Sequence, residues 1–184
     1  SPMSRGLGDV YKRQTTLRVL PQINSVVTGY LGDARQADPI HSMIRGWQAE
    51  RPDGVYILDP VLGDGGRLYV DSAIVDQMRQ KLLSVAHIVT PNQFELGLLT
   101  DSHIETAHEA AKAAKTMLQQ NPNLQAVIAT GIANEDRGIS DLKVTRHNVT
   151  ALDYAKRPYG VAGGGDLLTA ILACWLTAGH DLDA

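Results

Sequence analysis

From Gln22 onward the chain alternates between short runs rich in β-branched residues and longer amphipathic stretches, a pattern that predicts a parallel sheet covered by helices. Ile23 to Thr28 reads as a strand ending at Gly29-Tyr30-Leu31-Gly32, and Pro39 to Ala49 as a helix with Ile40, Met43, Ile44 and Trp47 at helical spacing. Gly54 to Leu58 is the next strand, stopped by Asp59-Pro60 because proline lacks the amide a ladder needs and restricts its predecessor. After a loop, Asp71 can cap a helix bearing Ile74, Val75, Met78 and Leu82, and Ala86 to Val89 forms a strand broken at Thr90-Pro91. Asn92 opens a short helix through Leu99, and an alanine-rich helix spans Glu105 to Gln120. Leu124 to Ala129 reads as a strand stopped by Thr130-Gly131, with antiparallel β segments expected at Gly138 to Arg146 and Thr150 to Ala155. Last comes a glycine loop, Gly160 to Gly165, feeding a helix from Asp166 to about Ala178. The class is α/β, with no internal repeat, low-complexity tract or interdomain linker.

Composition narrows the options. The 184 residues, 43% hydrophobic and 20% charged, have room for one well-buried core but not two comfortable domains. A net charge of -3 and 5% aromatics provide no basic stripe, so nucleic acid is not an expected partner. The single cysteine, Cys174, has no internal disulfide partner and no thiolate cluster around it, which points to a reducing cytoplasm. The apolar stretch Leu167 to Leu176 falls well short of the ~20 residues of a membrane span, so no membrane association is expected. Residues 1–14 have no apolar period and no signal-peptide core, and Asp9 to Gln14 resembles a one-frame translation of the transposase-recognition sequence of sequencing-library adapters. Residues 1–14 are expected to be a non-native or disordered leader, leaving 15–184 as the folding unit.

In open α/β sheets the ligand site lies beyond the carboxyl ends of the strands, which draws attention to four junctions. These carry Asp59 and Asp64, Asn92 and Glu95, Thr130-Gly131, and Gly163-Gly164-Gly165-Asp166. Consecutive glycines let backbone amides point at an anion while the following helix adds its partial positive charge, which suits phosphate. Asp166 is placed to accept a proton from an attacking hydroxyl as the loop amides stabilise a transferring phosphoryl group. Asp59 and Glu95 are hard oxygen ligands suited to magnesium, directly or through water, against nucleotide phosphates. Each feature also has a purely structural reading: a flexible turn, a helix cap, strand punctuation before proline. Asn92 alone reads more simply as a cap, and Thr130 as an ordinary strand exit. A Gly-Lys-Ser/Thr phosphate loop, a His-Glu-x-x-His motif and a Gly-x-Ser-x-Gly elbow are all absent, and His103 and His108, five apart, would not share a helix face.

Taken together, Thr28-Gly29-Tyr30, Asp59-Pro60-Val61-Leu62-Gly63-Asp64, Ile88-Val89-Thr90-Pro91-Asn92-Gln93-Phe94-Glu95 and Gly163-Gly164-Gly165-Asp166-Leu167 resemble signatures of the ribokinase-like superfamily, and within it the pyridoxal kinases, over nearly all of Gln22 to Ala184. The resemblance implies a three-layer sandwich with a mostly parallel central sheet, here partial. The implied activity is ATP- and Mg2+-dependent phosphorylation of the 5′-hydroxymethyl of pyridoxal, pyridoxine or pyridoxamine. It further implies Asp166 as catalytic base, the amides of Gly163, Gly164, Gly165 and Asp166 as anion hole, and Asp59 and Glu95 as magnesium carboxylates. Asn92, Asp64, Thr130 and Gly131 would lie near the ATP phosphates, Tyr30 would line the vitamer pocket, and the full-length protein would form a homodimer. Gly164 departs from the threonine or other small residue usual there. Members of the family also begin with a further β-rich unit and continue beyond the last helix, so a partial chain is expected to bind substrate poorly. Three other readings stay open: a hydroxymethylpyrimidine kinase, whose loop typically runs into cysteine where this chain has Asp166; a catalytically silent vitamer-binding relative; and a structural α/β domain.

Overall fold

In the computed structural model, which describes residues 22–134, 138–155 and 163–182, the β-rich runs become eight strands. In chain order these are β1 (Ser25–Thr28), β2 (Val55–Leu58), β3 (Gly63–Asp64), β4 (Arg67–Leu68), β5 (Ile88–Val89), β6 (Ala126–Ala133), β7 (Ile139–Thr145) and β8 (Val149–Tyr154). Six of them form one sheet in the order β1-β2-β5-β6-β7-β8, while β3 and β4 make a separate hairpin. The pairs β1–β2, β2–β5 and β5–β6 are parallel; β7 and β8 extend the sheet antiparallel, as the pattern predicted. Thr28 stands beside Leu58, Leu58 beside Val89 and Val89 beside Val127, so the parallel strands deliver their following residues to one edge of the sheet.

Both faces of the parallel part are apolar, which is what a doubly covered sheet requires. Tyr56, Leu58, Val89, Val127 and Ala129 face a large core formed with α1 (Ala37–Glu50), α2 (Ser72–Gln77), α3 (Leu83–Val85), α4 (Gln93–Thr100) and α5 (Ala107–Gln120). Ile57 and Ile88 face the other way, against Ala173 of α6 (Gly164–Thr177). The result is three layers, helix on sheet on helix. Helix α6 turns Thr169 and Ala173 to the sheet and leaves Leu167, Ile171 and Trp175 exposed. No described helix is long and apolar enough to cross a membrane.

Local signals account for most element ends, and the departures from expectation have physical causes. Asp71 caps α2 by accepting from the Ala73 amide, as expected. The helix then widens into a π turn over Met78–Leu82 before α3, and the extra residue lets Leu82, Leu83 and Val85 all reach the core. Helix α5 begins at Ala107 rather than Glu105, because Thr106 and Glu109 form a capping box. Strand β6 does not stop at Thr130-Gly131: it passes through a register shift there, with Gly131 at φ 67°, and continues to Ala133. Helix α6 begins at Gly164, which sets Asp166 third in its first turn. Residues 1–14 and Gly160 to Ala162 of the glycine loop lie outside the described residues.

The stretch after Pro60, read above as a loop, contains the β3–β4 hairpin. Its turn residues Gly65 and Gly66 sit at φ 55° and 82°, the two left-handed positions of a tight hairpin turn, and the Gly65-Gly66 dipeptide was the available signal. Gly63 has a different constraint. A Cβ there would lie 2.2 Å from the Arg67 carbonyl oxygen and 2.8 Å from Phe94 Cε1. Backbone on one side and a packed ring on the other leave no room to yield, so Gly63→Ala is expected to lower unfolding stability by about 2–3 kcal/mol in urea titrations. A loss within about 0.5 kcal/mol would mean the hairpin moves freely away from α4.

Candidate active site

The strand ends gather four of the five buried polar side chains among the described residues, namely Asp59, Thr90, Glu95 and Thr169. Glu95 stands where α4 begins, with Asn92 as the helix cap. Its Oε2 accepts from the Asn92 amide at 2.9 Å, and its Oε1 accepts from the amides of Leu62 at 3.0 Å and Gly63 at 3.4 Å. The Asn92 side chain works in both directions: Oδ1 accepts from the Glu95 amide at 2.9 Å and Nδ2 donates to the Gly63 carbonyl at 2.8 Å. These bonds fasten the junction after β5 to the junction after β2. The capping reading of Asn92 is correct, and the same side chain reaches across to the neighbouring strand end.

Asp59 follows β2 and is 7% exposed. Its Oδ2 accepts from the Thr169 hydroxyl at 3.2 Å, and Thr169 Oγ1 lies 3.1 Å from Thr90 Oγ1. Burial pushes the Asp59 carboxyl above the usual range; the Thr169 hydroxyl opposes this, and the charge of Asp166 adds to it. Burial likewise pushes Glu95 up to about 7, against the pull of its three backbone donors and with a further push from Asp59. The carboxylates thus act in series: Asp166 on α6 raises Asp59 after β2, and Asp59 raises Glu95 on α4.

Asp166 itself is exposed, at the third position of α6. Gly163 precedes the helix at φ 82°, and nothing lies within 4 Å of where side chains at Gly163, Gly164 or Gly165 would begin. First-turn amides have no intrahelical partner, so the helix offers N–H groups and dipole to open space beside Asp59. Thr130 donates its amide to the Pro91 carbonyl at 2.9 Å and bridges to Asn92, which puts the β6 bulge next to the Glu95 junction. The Gly131 amide is held by Asp141 Oδ1 at 2.8 Å. Asp64 lies farther out, exposed on the hairpin, with Oδ1 accepting from the Gly65 amide at 2.7 Å. Tyr30, 62% exposed, lines an open groove with Tyr69, Asp33 and Asp71, and none of the buried carboxylates contributes to that lining. A second shallow cleft, around Asn24, Arg51 and Thr177, begins at the opposite ends of β1 and β2.

Thr90 and Thr169 were not among the sequence candidates. Threonine beside proline and threonine in an apolar helix are unremarkable in one dimension, and only the fold brings both to Asp59. Gln93 was missed likewise: its Oε1 accepts from the Ala133 amide at 2.9 Å and its Nε2 donates to the Ile104 carbonyl at 2.7 Å, fastening β6 beyond its bulge.

Among the described residues no three His, Cys, Asp or Glu side chains converge to hold a metal ion alone. A donor set of one or two carboxylates still suits magnesium, which takes its remaining ligands from phosphate oxygens and water. Asp59 fits that role more directly than Glu95, whose oxygens are already occupied by backbone donors.

Residues 13–184 match the phosphomethylpyrimidine kinase family. The chain belongs to that family. Among its relatives, the pyridoxine/pyridoxal/pyridoxamine kinase of Bordetella avium is 34% identical over 168 residues, covering 89% of this chain and 56% of that protein. The pyridoxal kinase of Arabidopsis thaliana is 29% identical over 161 residues, covering 82% of this chain and 50% of that protein. Of solved structures, Entamoeba histolytica pyridoxal kinase superposes with a TM-score of 0.84 at 27% identity, over 96% of this chain and 64% of that one. A Bacteroides thetaiotaomicron structure containing pyridoxal gives 0.82 at 29% identity, over 95% and 62%. The three-layer fold is thus the ribokinase-like fold of these kinases, and the chain spans 50% to 64% of the length of these four proteins.

Within this kinase family member Glu95 has a measurable signature. Its folded carboxyl, raised from 4.5 to about 7, keeps a proton that the unfolded chain releases near 4.5. The folded state therefore binds more protons between those values, and stability falls as pH rises through that window, by at most about 3.5 kcal/mol at ~1.4 kcal/mol per pH unit. Asp59, also raised by burial, contributes in the same sense and His87, pushed down by burial, in the opposite one, so Glu95 is read from the parent–variant difference rather than from the parent profile alone. Urea midpoints from about pH 5 to about pH 8 are expected to show a flatter profile in Glu95→Gln than in the parent. Identical slopes in the two would assign the titration elsewhere.

Proposed function

We propose that this chain is the phosphoryl-transfer core of a vitamin B6 kinase, which moves the γ-phosphoryl group of ATP to the 5′-hydroxymethyl of pyridoxal, pyridoxine or pyridoxamine. The observation that carries the reading is the placement of an exposed carboxylate, Asp166, beside open first-turn amides and close enough to the buried Asp59 for its charge to act there.

Asp166 takes the proton from the acceptor hydroxyl as its oxygen attacks the γ-phosphorus, and the bond to the β-phosphate oxygen breaks to release ADP. The amides of Gly164, Gly165 and Asp166, with Gly163 setting the turn, stabilise charge on the transferring group. Asp59, with Glu95 behind it, holds magnesium against the nucleotide. Bound magnesium supplies charge neutralisation at the phosphate oxygens. The Thr130-Gly131 bulge and the Asp64 hairpin flank the phosphates, and Asn92 supports that wall through the Gly63 carbonyl. Tyr30 offers an aromatic side for the vitamer ring. Gly164, in place of the threonine or other small residue usual there, keeps the amide and removes only a side chain. A homodimer and a cytoplasmic setting complete the proposal.

The family match favours one rival acceptor, hydroxymethylpyrimidine. Asp166, where such kinases typically carry cysteine, weighs toward the vitamer. Both acceptors belong in one assay, with ATP and magnesium, on this chain and on a chimera completed with the terminal segments of the Bordetella kinase. Pyridoxal is expected to be the preferred acceptor, and Asp166→Asn to lower kcat by about 10²- to 10⁴-fold with ATP affinity changed less than about threefold. Vitamer binding without phosphate transfer by the folded chimera would replace this reading with that of a binding protein.

A further inference from the structure

Thr169 is 1% exposed, yet it is a hydroxyl on a helix whose other sheet-facing residues are apolar. Burying such a group is unfavourable unless it is hydrogen-bonded, and alanine or valine would fill the space as well. Its hydroxyl donates to Asp59 Oδ2 at 3.2 Å and its Oγ1 lies 3.1 Å from Thr90 Oγ1, while the Thr90 hydroxyl also acts on the Asp59 carboxyl. The three side chains form one buried cluster that joins the ends of β5 and β2 to α6. Thr169 also lies one turn after Asp166, on the same side of the helix.

The remaining contacts of α6 with the sheet are poor at setting its position. Ala173, with Leu172 and Leu176 beside it, packs on Ile57 and Ile88, a surface that tolerates rotation and sliding because apolar contact has no direction. The other polar side-chain tie of α6 among the described residues, Ser25 to Thr177 at 2.8 Å, is exposed and sits at the far end of the helix. Among the described residues, directional restraint at the catalytic end thus comes from the Thr169 hydroxyl.

We propose that Thr169 is a positioning residue: held between Asp59 and Thr90, it sets the first turn of α6, and with it Asp166 and the open amides, at a defined place against the end of β2. The proposal rests on the kinase reading for its effect on rate, but its structural half can be tested separately. Thr169→Val keeps shape and loses the hydroxyl; Thr169→Ser keeps the hydroxyl. In Thr169→Val, amide hydrogen exchange at Leu167 to Ala170 is expected to speed up about tenfold, and in Thr169→Ser to stay near the parent. In the chimera that turns over vitamer, Thr169→Val is expected to lower kcat about 10- to 100-fold with vitamer KM within about twofold, and Thr169→Ser to recover most of it. Unchanged exchange in Thr169→Val, or serine and valine variants failing alike, would overturn the proposal. If the parent chimera transfers no phosphate, the kinase reading fails, and the exchange comparison still decides whether the hydroxyl holds the helix.

Discussion

The arrangement at the strand ends depends on one buried carboxylate. Glu95 collects three backbone amides from two separate junctions, and Asn92 returns a bond from the first junction to the second. Without these bonds, the chain after β2 would leave the sheet with unpaired amides in a buried place, which costs about as much as a lost hydrogen bond for each. The hairpin, the start of α4 and the bulge of β6 all take their positions from this knot, since Thr130 binds the Pro91 carbonyl and Gln93 holds Ala133. A neutral side chain could satisfy some of those donors, but a carboxylate satisfies all of them and leaves a site that favours a cation.

Charge explains why the remaining pieces are as they are. Asp59 and Glu95 are both raised by burial and by a neighbouring carboxylate. Such a cluster is unfavourable by itself and becomes favourable only when positive charge arrives. Opposite it stand the open N–H groups of α6, which prefer negative charge. A ligand carrying phosphate and a divalent cation satisfies both halves at once, whereas either half alone would suit many ligands.

Much of this was legible in one dimension because the signals were local. Pro60 and Pro91 marked strand ends, Asn92 read as a helix cap, and the alternation of strand and helix pointed to a mostly parallel sheet, whereas the reciprocal bond from Glu95 and the spatial order of the strands came only with the fold. What escaped was nonlocal or locally ambiguous. Thr90 and Thr169 are 79 residues apart, and nothing about either suggests the other. Thr130-Gly131 has the composition of a strand exit, yet pairing with β7 carries β6 through it as a bulge. Tyr30 resembled a pocket residue by motif, while its position in the groove with Tyr69 follows from the hairpin, which was read as a loop.

Helix α6 has the opposite construction from the rest of the site. Helices α1, α2, α4 and α5 bury apolar stripes in a continuous core, so their positions are over-determined. Helix α6 buries two residues and exposes Leu167, Ile171 and Trp175, although its composition is that of a helix enclosed on more than one side. An element held by so little apolar contact belongs to the low-stability end of a protein, where local opening is easiest. That element nevertheless carries Asp166, the proposed base, for which small displacements would matter most. The combination is workable only if a directional contact substitutes for bulk packing near the reacting end, and the buried threonine pair against Asp59 is the contact at that end with the geometry to do so.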